Sequence, residues 1–312
     1  MKIIQYSNDY KSLWNEFVKN SKNSHFFFLR DYMEYHSNTF KDFSLLVFST
    51  SNKLISILPA NIVDNILYSH QGLTFGGFLI DNKMKTESFL NIFEILQLFL
   101  KKKGITKLVY KCIPYIYHVK PSEEDRYALF KNDARLIRRD ISSTINLENK
   151  IPYQEQRKRA IKKALEYDLN FVEMKELGSY WKILEETLML QHNIKPVHTL
   201  DEITILRNLF PENIKLFVAK KDNEILAGIL VFENDQIVHT QYLANSSKGR
   251  KVGALDFVID KLINSVYKYK KYLDFGISNE DSGRYLNAGL IAQKEGFGAR
   301  AVVQDIYEME II

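Results

Sequence analysis

Along this chain, segments of period-two and period-3.6 hydrophobicity follow one another in an order that occurs twice. The first half opens with an apolar strand over Lys2–Tyr6 and a helix with Leu13, Trp14, Phe17 and Val18 on one face. A second helix is predicted near Leu29–His36, followed by apolar strand segments at Leu45–Phe48, Leu54–Ile62 and Ile66–Phe78. From about Glu87 to Lys102, Phe89, Leu90, Ile92, Phe93, Ile95, Leu96 and Leu98 mark a long helix, with Gly104 as its stop. A strand over Leu108–Ile113, a short helix opened by Pro121-Ser122-Glu123-Glu124 and a strand over Leu136–Leu147 complete the set.

The second half repeats that order. A strand over Asn170–Met174 precedes a helix over Tyr180–Gln191, with Trp181, Leu184, Leu188 and Met189 facing inward. Thr199-Leu200-Asp201-Glu202 is a capping box that starts another helix. Strands over Lys215–Ala219, Ile225–Phe232 and Ile237–Leu243 follow, the first pair joined by a turn at Asp222-Asn223. Next comes a helix with Leu255, Val258, Ile259, Leu262, Ile263 and Val266 on one face. A strand over Tyr272–Gly276, a second helix and a final strand over Val302–Met309 close the unit. The pattern predicts a pseudo-duplicated α/β (α+β) protein with domains over residues 1–148 and 149–312, bridged by a helix over Tyr153–Tyr167.

Composition fits this picture. The 312 residues are enough for roughly two domains, and 46% hydrophobic with 26% charged residues is the balance of a globular chain. The sequence has no apolar run of about 20 residues, and its start lacks the regions of a signal peptide, so a cytoplasmic protein is expected. The single cysteine, Cys112, excludes an intrachain disulfide and a Cys-cluster metal site, and its apolar strand makes it a packing residue. A net charge of +5 favours a phosphate-rich ligand or an RNA without choosing between them. The densest basic segment, Gln156 to Leu165, is either a solvated helix face or a contact for nucleic acid or lipid headgroups.

Chemistry concentrates between Tyr242 and Phe297. There a strand runs into a basic glycine loop, Ser246-Ser247-Lys248-Gly249-Arg250-Lys251-Val252-Gly253-Ala254, ahead of the amphipathic helix. Glycines let backbone N–H groups approach an anion, and the N-terminus of the helix from Ala254 adds partial positive charge. Lys248, Arg250 and Lys251 would supplement it, although a surface turn explains the same residues. The first half has Ile80-Asp81-Asn82-Lys83-Met84-Lys85-Thr86-Glu87 at the equivalent place, without glycine, so a diphosphate is expected only in the second unit.

The element order β-α-α-β-β-β-α-β-α-β resembles the Gcn5-related N-acetyltransferase fold. Two tandem copies joined by an Arg/Lys-rich helix resemble the Fem-type transferases and their acetyltransferase relatives. The segments that carry this are His192 to His198, Phe210-Pro211-Glu212-Asn213-Ile214, Gln241-Tyr242-Leu243-Ala244, Asp274-Phe275-Gly276-Ile277-Ser278 and Leu286 to Gly298. The resemblance implies two tandem acetyltransferase-like domains, each a mixed sheet flanked by helices. It also implies a cofactor loop at Lys248, Gly249, Arg250, Lys251, Val252, Gly253 and Ala254, one residue short of the family's Arg/Gln-x-x-Gly-x-Gly/Ala pattern. Many relatives place a tyrosine general acid four residues before the Gly-Phe pair; here that position is Ala292, and Tyr285 is the available substitute.

Amide formation from a thioester needs an unprotonated amine, a proton acceptor and donors for the oxyanion. His192, His198 and His239 are the histidines near the expected cleft, with packing as the competing role of each. Glu280 and Asp281 follow the strand that contains Asp274 and Ser278, as either proton acceptors or helix caps. Asn287 and Lys294 lie two turns apart on the closing helix and are candidates for holding cofactor. His198, Gln241, Tyr242, Asp274 and Ser278 are the candidates for the acceptor. No metal-ligand spacing, nucleophile elbow or Walker-type loop is present.

The expected activity is N-acyl transfer from acetyl-CoA or another acyl-CoA to the amine of a precursor. A nucleotide-linked amino sugar for surface polysaccharide is the favoured acceptor, without metal, DNA or a transmembrane segment. The first rival is a Fem-type transferase using aminoacyl-tRNA on a cell-wall precursor, supported by the basic bridging helix. The second is a non-catalytic ligand-binding tandem module.

Overall fold

The computed structural model describes residues 1–312 apart from the side chains of Gln191 and His192, so the candidate His192 lies outside the described residues. The chain forms two compact units. Unit 1 holds Met1–Asp140, Asp281–Gly283 and Val303–Ile312; unit 2 holds Ile141–Glu280 and Arg284–Val302.

Unit 1 begins with β1 (Lys2–Gln5), α1 (Lys11–Asn20), α2 (Arg30–Glu34), β2 (Leu45–Phe48), β3 (Leu54–Leu58), β4 (Asn61–Val63), β5 (Ile66–Tyr68) and β6 (Leu79–Ile80). It continues with α3 (Thr86–Lys102), β7 (Lys107–Lys111), α4 (Glu124–Lys131) and β8 (Arg135–Asn146), which runs on into unit 2. β1, β2, β3 and β6 form one antiparallel sheet. β5 pairs with β4 antiparallel and with β7 in parallel. Buried Phe89, Ile92, Phe93, Leu96 and Leu100 of α3 share a core with Leu45, Val47, Leu58, Leu108 and Cys112. A cavity of about 320 Å³ opens between α1, the start of β3 and the β6–α3 connection, with Leu13, Phe17 and Leu54 among its walls.

Two of the expected strands are broken. The segment Leu54–Ile62 divides at Pro59-Ala60, because proline has no N–H for the ladder. Ile66–Phe78 is strand only as far as Tyr68. Beyond it the chain folds into a loop with His70 at φ +66° and Gly77 at φ +85°. The Lys111 ammonium ties this loop down by donating to the carbonyls of His70 (3.3 Å), Gln71 (3.1 Å) and Leu73 (2.7 Å).

Unit 2 contains α5 (Glu155–Glu166), β9 (Asn170–Met174), α6 (Gly178–His192), α7 (Leu200–Leu209), β10 (Ile214–Lys221), β11 (Glu224–Glu233) and β12 (Ile237–Asn245). It continues with α8 (Ser247–Val252), α9 (Ala254–Lys261), β13 (Tyr272–Ile277), β14 (Asn279–Glu280), β15 (Tyr285–Leu286) and α10 (Ala288–Glu295). The last strand, β16 (Arg300–Glu310), returns to unit 1, where Ile306–Glu310 pair with Lys107–Lys111 of β7. The unit 2 strand order is β8-β13-β12-β11-β10-β9, antiparallel except for β12 beside β13. Leu255, Val258, Ile259, Leu262 and Ile263 pack on β10 and β11, and Ile161 and Ala164 of α5 join the same core. The predicted capping box forms at α7: Thr199 accepts from the Glu202 N–H, and Glu202 accepts from the Thr199 N–H.

The expected glycine loop is instead helical. Ser246 caps α8 by accepting from the Gly249 N–H at 3.0 Å, and Gly253 ends it at φ +75°. Serine at the cap and a left-handed glycine at the stop suffice to form this turn and a half without an apolar period.

Candidate functional site in unit 2

β12 and β13 run side by side for only a short distance. Ile237, Val238 and His239 pair with Tyr272, Leu273 and Asp274, and then the strands part. β12 continues along β11 to Asn245, whereas β13 continues along β8. His239 and Asp274 are therefore the last pair before a fork. Just beyond it, β12 shifts register against β11: Leu230 faces Tyr242 and Val231 faces Thr240, which leaves Gln241 as the extra residue of a bulge. Bulges break the ladder locally and are enriched beside active sites.

At the vertex, His239 Nδ1 lies 2.9 Å from Asp274 Oδ2. Asp274 is fully buried. Its Oδ1 accepts from Thr144 Oγ1 at 2.9 Å and from Ser142 Oγ at 2.5 Å, both on β8. Burial alone would push this carboxyl up; the hydrogen bonds and charge of His239 and the two hydroxyls outweigh it, so Asp274 titrates below its ordinary range. The result is an ionised carboxylate holding an imidazole in one orientation. Gly276, at φ +75°, makes room for it: a Cβ there would stand 3.0 Å from His239 Cε1.

Lys294 of α10 reaches under the end of β13. Its ammonium donates to the carbonyls of Gly276 (2.8 Å) and Ile277 (2.7 Å) and to Ser278 Oγ (2.9 Å). Burial lowers its pKa to about 8, against the pull of Asp274. Farther along β12, Tyr242 OH and His198 Nδ1 are 2.6 Å apart, and the Tyr242 carbonyl accepts from Tyr180 OH at 2.9 Å. The fork thus gathers His239, Gln241, Tyr242, Asp274, Ser278 and Lys294, with His198 beside it.

Other candidates stand elsewhere. Glu280, Asp281 and Tyr285 belong to the exposed β14–β15 hairpin and its turn, where Glu280 Oε1 accepts from Asn287 Nδ2 at 2.9 Å. Asn287 caps α10 by accepting from the Leu290 N–H at 3.0 Å. In α8, Lys248 pairs with Glu224 at 2.5 Å, and Arg250 donates to the Asn245 carbonyl (2.8 Å) and Ser247 Oγ (3.1 Å). Lys251 is exposed and Val252 buried. Gly249 and Gly253 serve close packing: added Cβ atoms would lie 2.2 Å from the Leu226 carbonyl and 2.3 Å from the Ala160 carbonyl.

The first turn of α9, the expected seat of a diphosphate, is occupied by the chain itself. Gly253, Ala254, Leu255 and Asp256 are all buried, and Ala160 of α5 abuts Gly253. Asp256 supplies the negative charge at this helix start and accepts from Arg157 Nη1 at 2.8 Å. Burial raises its pKa despite that guanidinium.

The dyad with its β8 hydroxyls was not assembled from sequence. The available signal was a carboxylate in an otherwise apolar strand, which burial permits only with partners, and a Ser-Ser-Thr run in another strand.

No protein-family model matches the sequence, and no curated protein matches it significantly. Solved structures do match. The crystal structure of FemX has a TM-score of 0.70 at 10% identity, covering 98% of this chain and 97% of FemX. L-PGS from Bacillus licheniformis has a TM-score of 0.61 at 12% identity, covering 98% of this chain and 92% of its own. A tandem GNAT protein from the clavulanic acid biosynthesis pathway has a TM-score of 0.56 at 8% identity, covering 100% and 98%. The fold is therefore the α/β tandem Gcn5-related acetyltransferase fold in its Fem-like form. Among the described residues, no helix is long and apolar enough to cross a membrane.

Proposed function

We propose that this protein is a transferase that passes an activated acyl group to an amine at the fork of unit 2. The observation that carries this is the His239–Asp274 pair, placed where β12 and β13 part. In this mechanism the acceptor amine attacks the acyl carbonyl, and a C–N bond forms. His239 takes the proton of the attacking amine, and buried Asp274 stabilises the imidazolium. The backbone N–H at the Gln241 bulge is the donor assigned to the oxyanion. Collapse of the tetrahedral intermediate breaks the bond to the carrier, which leaves with a proton. No acyl-enzyme forms.

An aminoacyl ester of RNA is the favoured donor. Two features support it: the likeness to FemX, and the α9 first turn, already filled by Asp256 and Arg157 and covered by Ala160. Acyl-CoA with a nucleotide-linked amino sugar is the second reading, supported by the Arg250–Ala254 match and the cations of α8. Both donors are cytoplasmic, and the reaction is assigned to that compartment. Purified protein is to be given labelled aminoacyl-tRNA or acetyl-CoA with a panel of amino-bearing cell-wall and nucleotide-sugar precursors. Acceptor-dependent loss of the aminoacyl ester supports the first reading and thiol release the second. Turnover of neither donor, in a folded protein, overturns the catalytic proposal in favour of a binding module.

A further inference from the structure

The fork leaves a set of exposed cations on α5 and α8 unused. The helices meet where a Cβ on Gly253 would lie 2.3 Å from the Ala160 carbonyl. Around that point, Arg159 and Lys163 flank Ala160 on α5, and Arg250 and Lys251 form the last turn of α8. All four are exposed. Neighbouring Lys158, Lys162 and Lys248 are matched by Glu155, Glu166 and Glu224. Among the described residues, no carboxylate pairs with Arg159, Lys163, Arg250 or Lys251.

The α8 cations of this set lie at the end of the strand that leaves the fork. Arg250 donates to the carbonyl of Asn245, where β12 ends, and Asn245 lies six residues beyond His239 on the same strand. That separation is about 20 Å along the strand. A ligand reaching both places spans that length and, to match the cations, carries several negative charges. A membrane-binding helix would present several large apolar residues together with its cations; here Ile161 and Val252 are buried, and Leu165 is the single large apolar side chain that α5 exposes.

We infer that the joined faces of α5 and α8 dock the RNA body of the donor while its acylated end lies in the fork. This rests on the reading that the donor is an aminoacyl ester of RNA. Binding of an uncharged, fluorescently labelled RNA hairpin with a single-stranded 3′ tail tests it by anisotropy across about 50–200 mM salt. Arg159→Glu with Lys163→Glu is expected to weaken binding about tenfold or more. The slope of log K against log salt should fall by about 2, one unit per lost phosphate contact. Arg159→Gln with Lys163→Gln, at an unchanged melting temperature, should give a smaller loss. RNA binding by the charge-reversed protein within about twofold of wild type overturns the inference. So does wild-type binding to phosphatidylglycerol vesicles with none to RNA, or displacement of the RNA by CoA. Because the hairpin is uncharged, a wild type that binds it but transfers no aminoacyl group counts against the donor reading alone.

Discussion

Asp274 has no exposed surface, yet its carboxyl is held below the usual range by three side-chain donors. Such a carboxylate is tolerable only while it is hydrogen-bonded; His239 contributes most to holding its charge, and Ser142 and Thr144 add to it. Gly276 is the other constrained residue, because a left-handed φ and the His239 ring both exclude a side chain there. Gly276→Ala is expected to cost about 1–2 kcal/mol in a urea titration through backbone strain. The displaced imidazole should lower the transfer rate by more than that loss of stability explains. Lys294 sets a pH dependence. Its folded pKa is about 8, whereas the free side chain titrates near 10.5. Between those values the unfolded chain holds the extra proton, so this residue makes stability rise with pH across that window. Lys294→Met should remove the rise, measured as the difference between wild-type and variant urea midpoints at about pH 7.5 and 9.5.

At the scale of elements, the helices and strands with a strong apolar period were legible. α3, α9 and β9 lie where periodicity put them, because each buries one face on a sheet or completes a sheet edge. α8 was not legible. Ser247–Val252 has no apolar period, and its glycines read equally as an anion loop or as a surface turn. In the structure they lie in a capped helix and at its end, where they touch neighbouring backbone. Gly253→Val should therefore destabilise the fold by roughly 2–4 kcal/mol through left-handed strain and collision with Ala160, with or without any ligand. Ser246→Ala, which removes the α8 cap, should cost about 1 kcal/mol in the same titration. The fork was hidden for another reason. The pairing of His239 with Asp274 joins positions 35 apart in a parallel register, and no local pattern encodes such a register.

Across the whole molecule, the sequence repeats an element order, but the two units fill the end of their parallel strand pair differently. In unit 1, β5 leaves β7 after Tyr68, and the loop that follows is tied to the Lys111 ammonium. In unit 2, β12 and β13 part around a His–Asp pair instead. The catalytic proposal therefore belongs to unit 2. Unit 1 adds the apolar cavity beside α1, and its last strand comes from the C-terminus of the chain. The most direct test is single-turnover transfer by wild type, His239→Ala and Asp274→Asn, with whichever of aminoacyl-tRNA and acetyl-CoA the wild type consumes. The account predicts acceptor-dependent aminoacyl transfer by the wild type and a rate loss of about a hundredfold or more in both variants, within the range for removing a general base. Wild-type rates in a correctly folded His239→Ala protein would contradict it.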